Sequence, residues 1–66
     1  MIVTINGESG DLPAGSNVDV VVARLGRGRK GIAVAVNDSV VPRSLWSSVE
    51  LSEGDRVEVL TAAQGG

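Results

Sequence analysis

Apolar and polar positions alternate in short runs that divide the chain into segments. Residues 1–6 place Met1, Val3 and Ile5 on one side and Ile2, Thr4 and Asn6 on the other. A period of two with β-branched residues predicts a strand. Asn6-Gly7 follows, and Asn and Gly supply the positive φ that both central residues of a type I′ hairpin turn need. The return from Glu8 to Leu12 holds Gly10 and Asp11, which disfavour β structure, so a short edge strand closed by Pro13 is expected. Val18, Val21, Val22 and Leu25 then recur at i, i+3, i+4 and i+7, one face of a helix. Ser16 is the expected N-cap, its hydroxyl reaching the orphan N–H groups near Asp19, and Gly26 the expected C′ residue. The run Val20-Val21-Val22 has poor helix propensity, but phase and caps outvote it.

Gly26 to Gly31 reads as a loop and Ile32 to Val36 as a strand of continuous apolar character. Asn37-Asp38 turns the chain into Val40-Val41, and Pro42 ends that piece. Residues 43–52 predict an irregular connection anchored by Leu45, Trp46, Val49 and Leu51. Glu53-Gly54-Asp55 is a turn, and Arg56 to Thr61 the last strand, with Val57 and Val59 on one face. One amphipathic helix and a sheet with one apolar face can only cover each other, which makes a two-layer domain. The expected core is Val3, Ile5, Val18, Val21, Val22, Leu25, Val34, Val36, Val57 and Val59.

Composition narrows the chemistry. Sixty-six residues make one domain, and a chain of that size buries roughly 60% of its unfolded surface. With no cysteine and no histidine, thiolate catalysis, N/S zinc sites and histidine acid–base work are unavailable to its side chains. The nine Ser and Thr hydroxyls have no histidine base. The absence of cysteine fits a reducing, cytoplasmic setting. A net charge of −2 argues against nucleic acid or an anionic membrane as the main partner. Met1 to Ile5 shows no basic leader and no long apolar stretch.

Gly26-Arg27-Gly28-Arg29-Lys30-Gly31 matches G-x-G-x-x-G, but it follows a helix and opens a strand, the reverse of a dinucleotide site. With Arg24 the loop holds four of the six basic residues and is a solvated turn or a contact for an acidic partner surface. Glu50, Glu53 and Asp55 lack the spacing of a calcium loop, so no metal site is expected. Trp46, the one aromatic residue, is read as partly buried core or an interface anchor.

The chain ends Ala62-Ala63-Gln64-Gly65-Gly66, without a bulky or charged side chain. Such a segment cannot pack, so residues 1–61 are expected to form the domain and 62–66 a flexible tail. It is also a very narrow peptide, able to enter a tight cleft and present a carboxylate where a Cβ would collide.

These residues together resemble the ThiS family, sulfur carrier proteins of thiamine biosynthesis with the ubiquitin-like β-grasp fold. The likeness runs along nearly the whole chain: Asn6-Gly7-Glu8, Leu12-Pro13, Val34-Ala35-Val36-Asn37, Val40-Val41-Pro42-Arg43-Ser44 with Trp46, Glu53-Gly54-Asp55-Arg56-Val57-Glu58-Val59 and Gly65-Gly66. Asp38 stands where many relatives have glycine, and the Gly- and Arg-rich loop also departs from the pattern. The resemblance implies an α+β fold, a mixed sheet of four to five strands packed on one helix. It implies a cosubstrate rather than an enzyme. An adenylyltransferase of the ubiquitin-activating type (ThiF-like), using its own ATP and magnesium, would couple Gly66 to AMP. Sulfide or a persulfide from a cysteine desulfurase pathway would displace AMP and leave a thiocarboxylate. Thiazole synthase (ThiG-like) would take that sulfur. Ala62, Ala63, Gln64 and Gly65 would bind within the partners' channels, Gly65 letting the chain lie flat. Leu60, with Ile2, Ala33 and Ala35 at matching parity, would form the docking face. A carrier for molybdopterin or another pathway, or an interaction module without sulfur chemistry, are the alternatives.

Overall fold

The computed structural model describes residues 1–26, 28 and 30–61. Among them are five strands and one α-helix: β1 (Ile2–Ile5), β2 (Glu8–Asp11), α1 (Val18–Leu25), β3 (Ile32–Val36), β4 (Ser39–Val41) and β5 (Arg56–Thr61). The sheet order is β2-β1-β5-β3-β4. β5 runs parallel to β1 and antiparallel to β3, so the last strand occupies the centre of a mixed sheet. This is the α+β, β-grasp arrangement expected. No helix of the described residues is long and apolar enough to cross a membrane.

Turn chemistry sets the two hairpins. Asn6 and Gly7 have φ of 52° and 84°, and Asn37 and Asp38 have φ of 50° and 73°, so both turns put two left-handed residues in a row as a type I′ hairpin requires. Gly26 closes α1 in the left-handed region, its N–H bonding the Ala23 carbonyl at 3.1 Å.

The N-cap differs by one residue from expectation. Asn17, not Ser16, caps α1, its Oδ1 accepting from the Val20 N–H at 3.0 Å. Ser16 is buried and its hydroxyl donates to the Pro13 carbonyl at 2.7 Å. The neighbouring orphan donors are met from a distance: Val18 N–H bonds the Val49 carbonyl and Asp19 N–H the Trp46 carbonyl. Helix start and irregular connection therefore form one unit, which local pattern alone does not contain.

That unit also enlarges the core. Trp46, 1% exposed, is fully buried rather than partly so, and its indole N–H donates to the Val41 carbonyl at 2.9 Å. Leu12, Val41 and Leu51 join Val3, Val18, Val21, Val22, Val34, Val57 and Val59 inside. Ile5, Leu25 and Val36, expected in the core, are only partly buried against its rim, as is Val49. Leu45, an expected anchor, is 46% exposed because it sits on the outer side of the 3-10 turn Arg43–Leu45.

Candidate functional site

The site is built around the end of β5. On one flank the antiparallel ladder to β3 continues to its last rungs, Ala33 opposite Leu60 and Ile32 opposite Thr61. On the other flank the parallel ladder to β1 stops at Ile5 and Val57, because the chain turns away at Asn6-Gly7. The Asn6 side chain continues the pairing beyond that point: Val59 N–H donates to Asn6 Oδ1 at 2.8 Å, and Asn6 Nδ2 donates to the Val59 carbonyl at 3.2 Å.

Parity then separates two faces. Val57 and Val59 point to the helix and are buried. Leu60 points the other way and is 64% exposed. Ala33 lies directly opposite it in the antiparallel ladder, and Ala35 and Val40 pair two residues further along on the same face. Val40, 74% exposed, belongs to this face although sequence reading passed over it; its alternation with buried Val41 was the available signal. Ile2 shares the face but sits at its other end, since Thr4 pairs with Arg56. Two charges stand on this face in the β5 register, Arg56 opposite Thr4 and Glu58 opposite Ala35.

Two shallow recesses meet at the strand end. One, of about 270 Å³, is lined by Asn6, Leu25, Val59, Leu60 and Thr61. The other, of about 280 Å³, is lined by Gly31, Ile32, Ala33, Arg43, Leu60 and Thr61. Arg43 also places its guanidinium 5.6 Å from the centre of the Trp46 ring, within cation–π range. The pairing of Ile32 with Thr61 brings the end of the Gly26–Gly31 loop beside the last described residue.

Of the expected site residues, Leu60 is where parity put it. Ala62, Ala63, Gln64, Gly65 and Gly66 lie outside the described residues, as do Arg27 and Arg29 of the basic loop. Among the described residues no group of three or more His, Cys, Asp or Glu side chains could hold a metal ion. The residue that sequence reading missed is Asn6. It was visible only as a turn former, and its contacts to Val59 span 53 positions.

Comparison with known proteins adds a direction. A family profile, that of the ThiS family, matches residues 3–66. The sulfur carrier protein ThiS of Escherichia coli is 27% identical over the full length of both chains. A thiazole synthase of Paramagnetospirillum magneticum is 32% identical over 66 residues, all of this chain but only 20% of the synthase. In a crystal structure, the thiamine biosynthesis protein ThiS of Geobacter metallireducens superposes with a TM-score of 0.83 at 26% identity, each chain covered completely.

Proposed function

Because this chain belongs to the ThiS family, we propose that it is a sulfur carrier of thiamine biosynthesis, active in the cytoplasm, whose working atom is on the carboxylate of Gly66. The observation that carries this reading is the family match across residues 3–66, which includes the terminal glycines. A carboxylate is a poor electrophile, so it must first be activated. An oxygen of the Gly66 carboxylate attacks the α-phosphorus of ATP on an adenylyltransferase of the ubiquitin-activating type, and pyrophosphate leaves. Sulfide, released when a thiol reductant reduces the persulfide formed by a cysteine desulfurase, then attacks the acyl carbon, and AMP leaves. The resulting thiocarboxylate gives its sulfur to thiazole synthase. ATP and magnesium act in the activating partner, and this chain is a cosubstrate rather than a catalyst.

The fold supports such a role through what it does with β5. The strand that leads into the tail lies in the middle of the sheet, paired with β1 as far as Val57 and with β3 as far as Thr61, so the domain presents the tail from a central strand. Ala62 to Gly66 then offer side chains small enough to pass through a narrow channel. The outer face around Leu60, with Ala33, Ala35 and Val40, is the docking surface for the activating partner. Thiazole synthase as the acceptor is supported by the synthase relative that has within its own chain a stretch matching all of this one.

The test is release of pyrophosphate by the adenylyltransferase with this protein as cosubstrate, compared with the chain lacking Gly66. Activity with the full chain and none after deletion supports the carboxylate chemistry. Equal release from both chains refutes it.

A further inference from the structure

A regular parallel ladder alternates its bonds evenly between the two strands. Here Thr4 N–H bonds the Asp55 carbonyl and Asn6 N–H the Val57 carbonyl, both at 2.9 Å. The next two rungs would run from Val59 N–H to the Asn6 carbonyl, and from the N–H of residue 8 to the Val59 carbonyl. Those rungs cannot form from the main chain, because Gly7, with φ of 84°, sends the chain back into β2. Val59 would be left with an unmatched peptide group on that flank, two residues before the last described residue of the strand.

The Asn6 side chain supplies the missing pair. Its carboxamide offers the same carbonyl and N–H as a peptide group, and both are used on Val59, at 2.8 and 3.2 Å. These bonds are partly buried, so water does not replace them without cost. Position 6 has φ of 52°, which asparagine tolerates better than most side chains. One residue thus meets two demands that few others meet together: a left-handed backbone and a peptide-like side chain. Asn6 also lines the recess at Leu60 and Thr61.

We propose that Asn6 is a positioning residue for the tail: its side-chain amide holds the end of β5 in register so that Leu60 and Thr61 are offered to the partner in one orientation. This rests on the sulfur-carrier reading, since it is to the adenylyltransferase that the tail must be offered. Without the clamp, the end of β5 opens locally from the β1 flank, and a tail with a variable point of departure must be ordered by the partner on binding.

The informative variant is Asn6→Gly, which keeps the positive φ and removes both bonds. Two readouts apply: amide hydrogen exchange at Val59 and Leu60 compared with Val3 and Val34, and the KM and kcat of the adenylyltransferase for this protein. The clamp predicts exchange at Val59 and Leu60 faster by on the order of tenfold or more relative to the core amides, the response of a locally opening segment. It also predicts a KM about tenfold higher with kcat within about twofold. A purely structural role would lower the melting temperature and leave KM unchanged well below the transition. Exchange at Val59 that tracks the core, or an unchanged KM, overturns the proposal. Asn6→Asp keeps the acceptor for Val59 N–H and sets an oxygen against the Val59 carbonyl, so it falls between wild type and glycine; if the glycine variant does not fold, the aspartate variant takes both readouts, and wild-type values in it overturn the proposal. If the wild-type protein is itself not adenylated, the sulfur-carrier reading fails, while the exchange comparison still decides whether the clamp exists.

Discussion

The turns Asn6-Gly7 and Asn37-Asp38 stand at opposite ends of β5 and share a plan. Each is a pair of left-handed residues whose asparagine reaches across to the backbone of β5. At the start of the strand, Asn37 N–H bonds the Arg56 carbonyl and Asn37 Oδ1 accepts from Arg56 N–H at 2.9 Å. At its end, Asn6 does the same for Val59 with its side chain. The two differ in what backs them. The first turn is surrounded by further exposed contacts: Asn37 to Asp55 at 3.0 Å, Asp55 to the Ser52 N–H at 2.7 Å, and an Arg56–Asp38 ion pair at 2.7 Å. At the second, the β1 ladder has already ended, and Asn6 alone continues it on that flank. Redundant polar contacts guard the start of the strand, and a single side chain guards the end that leads to the tail.

Replacing each asparagine by alanine tests that difference most strongly. Asn6→Ala loses two partly buried hydrogen bonds and forces alanine to positive φ, an expected loss of about 3 kcal/mol. Asn37→Ala suffers the same backbone cost, but water takes over its exposed bonds, so about 1–2 kcal/mol is expected. Denaturant midpoints at constant m-value measure both, and equal losses would break the comparison. The second turn position offers a smaller contrast. At Gly7 an added Cβ meets nothing within 4 Å, so Gly7→Ala reports the left-handed backbone alone, about 1 kcal/mol. Asp38→Gly relaxes the same strain but gives up an exposed ion pair, and thermal melts should place it within about 0.5 kcal/mol of wild type.

The outer face gives the least disruptive probe. Leu60 is exposed and points away from the core, so Leu60→Glu should leave the melting curve unchanged. It should weaken the productive encounter with the adenylyltransferase about tenfold in kcat/KM, the loss of about 1.4 kcal/mol of apolar contact. Unchanged activation kinetics would remove this face from the docking surface.

Both hairpin turns, the helix face, the Gly26 cap and the outward parity of Leu60 were legible in the chain because each rests on local periodicity or on a residue's own φ preference. The errors share one cause, contacts between segments far apart in sequence. Ser16 fits the cap pattern, but the Val49 and Trp46 carbonyls accept from the Val18 and Asp19 N–H groups at the helix start, and the cap is Asn17. Trp46 and Leu51 anchor the 43–52 connection as expected, but the full burial of Trp46 and the place of Leu12 and Val41 in the same core come from long-range packing that no period of two or 3.6 marks. Leu25 falls short of full burial because it lines the recess at the end of β5, and Ile5 because it lies beside the edge strand β2, where Gly10 has no side chain to cover it. At the site itself, a resemblance carried the tail chemistry, parity carried Leu60, and the clamp on Val59 needed the sheet order.

The proposed function requires that sulfur be carried on the carboxylate of Gly66 and nowhere else. Its most direct test is the mass of the C-terminal peptide after incubation with the adenylyltransferase, ATP and a sulfide source. One carboxylate oxygen is expected to be exchanged for sulfur, with the change confined to Gly66 and absent without ATP. An unchanged C-terminal peptide, from an enzyme that thiocarboxylates another carrier in the same mixture, would contradict it.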